Sequence, residues 1–254
     1  MEQTLSFLDP QGSRIAAVLS TPDTAADRVA VLCHGFLSGK RSSTNKTLTR
    51  ILNAQGIATF AFDFYGQGES DGSFEAMTVG QAVDQAGTAV DLMRQKGFRT
   101  VGLMGSSFGG LVAILTAARR NDLASLALKC PVVDFAEELR VTMGEREMAV
   151  WRTTDTIPNI MGGTERIRLR YAFYEDCLRH IAYEPARSIT APTLIVQGDQ
   201  DECVPLHQSQ DLYHALTCPK QMEMLPGADH QFTKGDDFRR MTDLIANWFL
   251  ARLS

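Results

Sequence analysis

Gly105-Ser106-Ser107-Phe108-Gly109 follows the apolar run Thr100 to Met104 and opens the run Gly110 to Ala118, which is apolar nearly all round. The pattern reads as strand, turn, helix, with a serine at the apex. Such a turn holds Ser107 in a strained backbone conformation only if the residues two positions away lack bulk, and both are glycine. The strain lifts the hydroxyl clear of a sheet. A helix apolar on every side packs deep against that sheet and does not face water.

Outward from the turn, the chain alternates. Thr4 to Leu8 and Arg14 to Leu19 flank the turn signal Asp9-Pro10-Gln11-Gly12 and predict an antiparallel hairpin at a sheet edge. Val29 to Cys33 and Ile57 to Phe62 are continuous apolar runs, as strands buried on both faces are. A helix is predicted from about Thr44 to Gln55. Val79, Val83, Ala86, Val90 and Met93 recur at spacings of three and four, which makes Ala76 to Lys96 an amphipathic helix stopped by Gly97. Ser125 to Cys130, Thr193 to Gln197 and Gln221 to Leu225 are further strands, and a C-terminal helix carries Met241, Leu244, Ile245, Trp248 and Phe249. Strands alternating with helices give an α/β fold with a mostly parallel central sheet and helices on both faces. Ligands then bind at the carboxyl ends of the strands.

Pro131 to about Arg187 breaks the alternation. It holds Trp151, Tyr171, Phe173, Tyr174, Tyr183 and methionines, and it reads as a small inserted lid. The expected organisation is a core of residues 1–130 and 188–254 with a lid at 131–187. Within the lid, Ile167, Leu169, Tyr171 and Phe173 alternate with arginines, a period of two that predicts a hairpin strand after the Met161-Gly162-Gly163 turn. Asp134 to Val150 and Glu175 to Tyr183 are expected to be helical.

With 254 residues, 44% hydrophobic and 22% charged, the composition is that of one globular domain. A net charge of −5 without any basic block argues against nucleic acid or an anionic membrane as partner. Met1 to Thr4 starts no signal-like pattern and no apolar run is long enough for a bilayer, so the expected location is cytoplasmic. The five cysteines are scattered, which points to free thiols and away from zinc. No metal-ligand spacing and no dinucleotide fingerprint occurs, so neither metal nor cofactor is expected. Asp63 to Gly72 lacks the Gly-Lys-Ser/Thr ending of a phosphate loop and reads as a structural turn.

A serine hydroxyl is a poor nucleophile at neutral pH and needs a base that a carboxylate holds in the right tautomer. Of the five histidines, His230 lies in the loop after the last strand, where a sheet presents residues at its active edge. Asp199, Asp201 and Glu202 compete in the loop after Thr193 to Gln197; Asp201 is the choice, with Asp199 as a turn former. The order Ser107, Asp201, His230 matches that of hydrolases with a nucleophile elbow. The Phe108 N–H, at a helix N-terminus, and the Phe36 N–H, in the His34-Gly35-Phe36 turn, are the expected donors to an oxyanion, with Gly35 allowing close backbone approach. His34 is read as a structural or pocket-wall residue.

Taken together, His34-Gly35-Phe36, Asp63 to Ser70, Gly105 to Gly109, Gly198 to Pro205 and Gly227 to Phe232 resemble the α/β-hydrolase superfamily along nearly the whole chain. Within it the chain is similar to the branch of monoacylglycerol lipases and serine aminopeptidase-like hydrolases, and most similar to bacterial cinnamoyl (feruloyl) esterases. The family commonly has Arg where this chain has Phe64 or Tyr65. The resemblance implies Ser107 as nucleophile, His230 as base, Asp201 as its orienter, and an oxyanion hole at the Phe36 and Phe108 N–H groups. Asp134, Tyr171 and Tyr174, with His34, are candidates for the substrate pocket. The expected reaction is hydrolysis of a small-molecule carboxylic ester with an apolar or aromatic, cinnamoyl-like acyl group through an acyl-enzyme, with a homodimer left open. Amide, thioester or carbon–carbon bond hydrolysis by the same residues are the alternatives, and so, outside enzymes, is a non-catalytic ligand receptor. A peptidase would need a carboxylate for the substrate amine, and Glu138, Glu145 or Glu147 could supply it.

Overall fold

The computed structural model describes residues 1–157 and 167–253. Its centre is an eight-stranded sheet in the order β1-β2-β4-β3-β5-β6-β9-β10. β1 (Glu2–Leu8) and β2 (Arg14–Ser20) form the expected edge hairpin, and β2 runs antiparallel to β4 (Ala58–Phe62). From β4 through β3 (Arg28–Cys33), β5 (Thr100–Ser106), β6 (Ser125–Lys129), β9 (Thr193–Gly198) and β10 (Lys220–Leu225) every pairing is parallel. β4, β6 and β9 are buried at every position, the mark of strands covered on both faces.

One face carries α1 (Ser43–Ala54) and α8 (Asp237–Arg252), with Leu48, Leu52, Ile245 and Phe249 packed on Leu32, Met104 and Val196. The other carries α2 (Val79–Gln95), started by the Thr78 side chain accepting the Gln81 N–H, and α3 (Phe108–Ala118). α3 is buried at its first ten residues, so the all-round apolar run is a helix wedged between sheet and α2. α7 (Leu206–Ala215) follows β9. Among the described residues no helix is long and apolar enough to cross a membrane.

Between β6 and β9 none of the described residues adds a strand to this sheet. α4 (Phe135–Thr154) is the expected helix, kinked at Gly144, whose φ is 72°. The period-two reading is corrected: β8 (Ile167–Arg168) pairs with β7 (Thr156–Ile157) and stops there, and Tyr171 to Cys177 turn into α5 (Ala172–Cys177). Phe173, Tyr174 and Cys177 are buried together at helical spacing, so packing on α2 and α4 overrides the alternation. The expected helix at Glu175 to Tyr183 is instead this one and a short α6 (Tyr183–Ala186). The Met161-Gly162-Gly163 turn lies outside the described residues.

Phenylalanines join the segment between β6 and β9 to the elbow and the strand-end turns. Phe108 lies 5.5 Å from Phe64, 5.9 Å from Phe36, 5.7 Å from Phe135 and 6.3 Å from Phe173, centre to centre. Each such pair is worth about 0.5–1.5 kcal/mol beyond its buried area.

The turn between β5 and α3 is the elbow the sequence implies. Ser107 has φ 54° and ψ −118°, a conformation that costs a non-glycine residue about 1–3 kcal/mol. Its N–H donates to the Lys129 carbonyl at 2.9 Å, and its carbonyl accepts from Gly110 at 2.8 Å and Val132 at 3.1 Å. A Cβ at Gly105 would stand 2.2 Å from the Gly109 carbonyl oxygen, and one at Gly109 2.4 Å from the Cys33 and His34 carbonyls. At Gly35, read above as a close approach, a Cβ would make ordinary 3.5 Å contacts. Gly105→Ala should therefore destabilise the chain by about 3 kcal/mol or more, and Gly35→Ala by under about 1 kcal/mol, measured by urea unfolding.

Candidate active site

Three strand ends converge on the serine. β9 ends in the loop that carries Asp201, and β10 in the loop that carries His230. The His230 Nδ1–H donates to Asp201, 2.8 Å from Oδ2 and 3.0 Å from Oδ1, and both side chains are buried. That contact leaves Nε2 as the basic nitrogen of the ring. Burial alone would raise the Asp201 carboxyl, but the bonds from His230 and the Val204 N–H outweigh it and hold it at about 2. Cys203 N–H and Gln197 Nε2 also donate to it. Asp199 takes the turn-forming role, its Oδ1 accepting the Gly227 N–H at 2.6 Å and so tying the two loops together.

Ser107 and His230 line one cavity of about 940 Å³, within the range of small-molecule sites. Among the described residues the Ser107 hydroxyl makes no hydrogen bond to His230, and such contacts often tighten only around substrate. Phe36, Phe135, Leu139, Phe232 and Phe238 give the cavity its apolar walls. The Phe36 and Phe108 N–H groups find no acceptor among the described residues, and Phe108 begins α3, where the dipole favours negative charge. Two donors flanking Ser107 are what an oxyanion hole requires.

The four pocket candidates make other contacts: Asp134, Tyr171 and Tyr174 are corrected, and His34 takes the structural one of its two expected roles. His34 is fully buried; its Nε2 accepts the Phe64 N–H at 3.1 Å and its Nδ1–H donates to the Gly35 carbonyl at 2.8 Å. It clamps the β3-end turn to the β4-end turn, and burial lowers it to about 4, so it is neutral. The Asp134 side chain accepts the Glu137 N–H and caps α4. Tyr171 and Tyr174 pack edge-on against Trp151 at 5.4 and 6.2 Å, and the Tyr174 hydroxyl accepts from Arg140. None of the four lines the cavity.

Besides His230, the ionisable residues Glu138, Lys129, Glu202 and Cys203 line it. Glu138, named above only for a peptidase, is buried on α4 with no hydrogen bond to its carboxyl, one oxygen being sealed from solvent as well. Desolvation, with the Asp201 charge adding to it, pushes this acid up to about 8. Glu145 and Glu147 point to solvent. Lys129, at the end of β6, went unremarked; the available signal was a charge closing the apolar run Leu126-Ala127-Leu128. Cys130 Sγ and the ligand atoms of Asp201 and His230 all lie within 4.8 Å of one another, a cluster from three strand ends that no spacing along the chain could reveal. The Asp63 turn is structural as expected: Asp63 is buried and accepts from the Lys40 ammonium, the Lys40 N–H and the Glu69 N–H.

The chain resembles known proteins throughout its length. A monoacylglycerol lipase of Mycolicibacterium smegmatis is 21% identical over 273 residues, covering 98% of this chain and 97% of its own. A mitochondrial palmitoyl-protein thioesterase of Bos taurus is 26% identical over 219 residues, 83% of this chain and 69% of its own. Among solved structures, Est1E of Butyrivibrio proteoclasticus with ferulic acid bound superposes with a TM-score of 0.84 at 23% identity over 98% of each chain, which shows a shared α/β-hydrolase fold. The family model Hydrolase_4, serine aminopeptidase S33, matches residues 24–168, a span that holds β3, β4, the elbow and α4. On that match, which takes in more than half of the residues, the chain belongs to the serine aminopeptidase S33 family.

Proposed function

We propose that this protein is a serine hydrolase that cleaves carboxylic esters with an apolar or aromatic acyl group through an acyl-enzyme. The observation that carries the reading is the convergence of Ser107, at its strained elbow, with the His230–Asp201 pair on one cavity whose apolar walls are Phe36, Phe135, Leu139, Phe232 and Phe238. Ser107 Oγ attacks the ester carbonyl while His230 Nε2 takes its proton. Asp201 stabilises the imidazolium, and the Phe36 and Phe108 N–H groups take the charge on the carbonyl oxygen. The alcohol leaves with the proton from Nε2. Water then gives a proton to Nε2 and attacks the acyl-serine, and Ser107 Oγ takes the proton back from Nε2 as the acid is released. The segment 131–187 acts as the lid, since Phe135, Glu138 and Leu139 bring α4 over the serine.

The names of the lipase and thioesterase relatives and the ferulic acid in Est1E favour acyl groups with a large apolar part. A second reading, aminopeptidase, draws on the family's description and on the Glu138 carboxyl. It is the weaker one, because an acid held protonated at neutral pH offers no charge to an ammonium.

Ser107→Ala should lower p-nitrophenyl ester hydrolysis by roughly a million-fold; a variant keeping a tenth of the activity would sink the assignment. A panel of acyl esters against aminoacyl amides separates the two readings. For Glu138 the sign is opposite to that of a salt-bridged acid. The folded chain holds a proton that the unfolded chain releases above about pH 4.5, so stability is full below that value and falls as the pH rises to about 8. Glu138→Gln should flatten this dependence, raising the urea midpoint near pH 8 and leaving it unchanged near pH 4. In the unaltered enzyme, KM for a neutral ester should climb above pH 8, as the ionised carboxylate opposes an apolar acyl group.

A further inference from the structure

Two lysines are buried near the elbow, and the fold treats them differently. Lys40 meets the carboxylates of Asp63 and Glu69. Lys129, only 3% exposed, has no carboxylate within salt-bridge reach among the described residues. Its Nζ donates one hydrogen bond, 2.9 Å long, to the backbone carbonyl of His230, and it lies 5.4 Å from the centre of the Phe232 ring. Burying an ammonium without a counter-ion costs several kcal/mol. Desolvation accordingly pushes Lys129 below the ordinary amine value, with Asp201 and Asp229 recovering part of the loss. An apolar side chain of the same length would fill the space without this cost.

Lys129 has a second contact. Its own carbonyl accepts the Ser107 N–H at 2.9 Å. One residue thus grips the nucleophile's backbone from its main chain and the base's backbone from its side chain. The other ties of the His230 loop lead to the β9 end: His230 N–H to Glu202, the ring to Asp201, Gly227 N–H to Asp199. Those bonds fix the histidine to its acid, while the Lys129 contact joins the histidine's own carbonyl to the strand whose last residue holds the Ser107 N–H. Phe232, at a φ of 57°, adds strain that a released loop would relieve.

We propose that Lys129 is a positioning residue of the triad, an ammonium retained at a cost in stability because its contact with the His230 carbonyl sets the separation between His230 and Ser107. The proposal rests on the reading of Ser107, Asp201 and His230 as a triad. Shifts of an ångström between reacting groups cost on the order of 100-fold in rate, so the contact matters more to turnover than to folding.

The test compares Lys129→Met with the unaltered enzyme, with Ser107→Ala as control, by p-nitrophenyl ester kinetics, fluorophosphonate labelling and urea unfolding. The expected methionine variant has a urea midpoint equal to or above that of the parent, a kcat lower by roughly 10- to 100-fold, KM within about twofold, and labelling slowed in parallel with kcat. An unchanged kcat overturns the proposal. So does a loss carried mainly by KM, which would make Lys129 a substrate contact, and so does a fall in the urea midpoint or failure to fold, which would make it structural. If Ser107→Ala stays active, the triad reading itself has failed; if only that control is dead while Lys129→Met runs at full rate, the positioning role alone has failed.

Discussion

Where β5 hands over to α3, the backbone passes so close to the end of β3 that a single added methyl group at Gly109 would collide with two carbonyl oxygens. The serine between the two glycines stands at positive φ, held by hydrogen bonds to the last residue of β6, Lys129, and from Val132 just beyond it. Everything that makes the site reactive follows. Phe108 begins a helix directly behind the serine, and the Phe36 turn lies alongside, its N–H without an acceptor among the described residues.

Around this turn the fold deals with ionisable groups in a dry environment in three ways. His34 stays neutral and makes two backbone contacts, joining the turns at the ends of β3 and β4. Asp201 remains charged because donors crowd it, and Asp63 accepts from the Lys40 ammonium and from two backbone N–H groups. Glu138 and Lys129 have neither solution in full, and both line the cavity beside Ser107. Unmet desolvation is tolerated where function needs it, and its concentration at one cavity is physical support for reading that cavity as the site.

The sheet, the elbow and the Ser107, Asp201 and His230 strand-end positions were legible because each rests on a local rule: buried strands read as unbroken apolar runs, and a serine between spaced glycines implies a sharp turn. What failed depended on which way a side chain points. His34 stands beside the elbow in sequence yet turns inward to the Phe64 amide. Tyr171 and Tyr174 looked like pocket aromatics, but Trp151 offered them a partner away from the serine. Asp134, expected as the first residue of a helix and as a pocket candidate, instead caps α4, its carboxylate accepting the Glu137 N–H. Lys129 was missed because the apolar strand drew attention and its final charge did not.

The central claim is that Ser107 carries the acyl group during turnover. Its most direct test is to quench the enzyme with acid within the first turnover of a p-nitrophenyl ester, digest it with trypsin and weigh the peptide Thr100 to Arg119. The account predicts one acyl group added to that peptide, localised to Ser107 by fragmentation. An acyl group on another residue, or none on any peptide while nitrophenol is released in a burst, would contradict it.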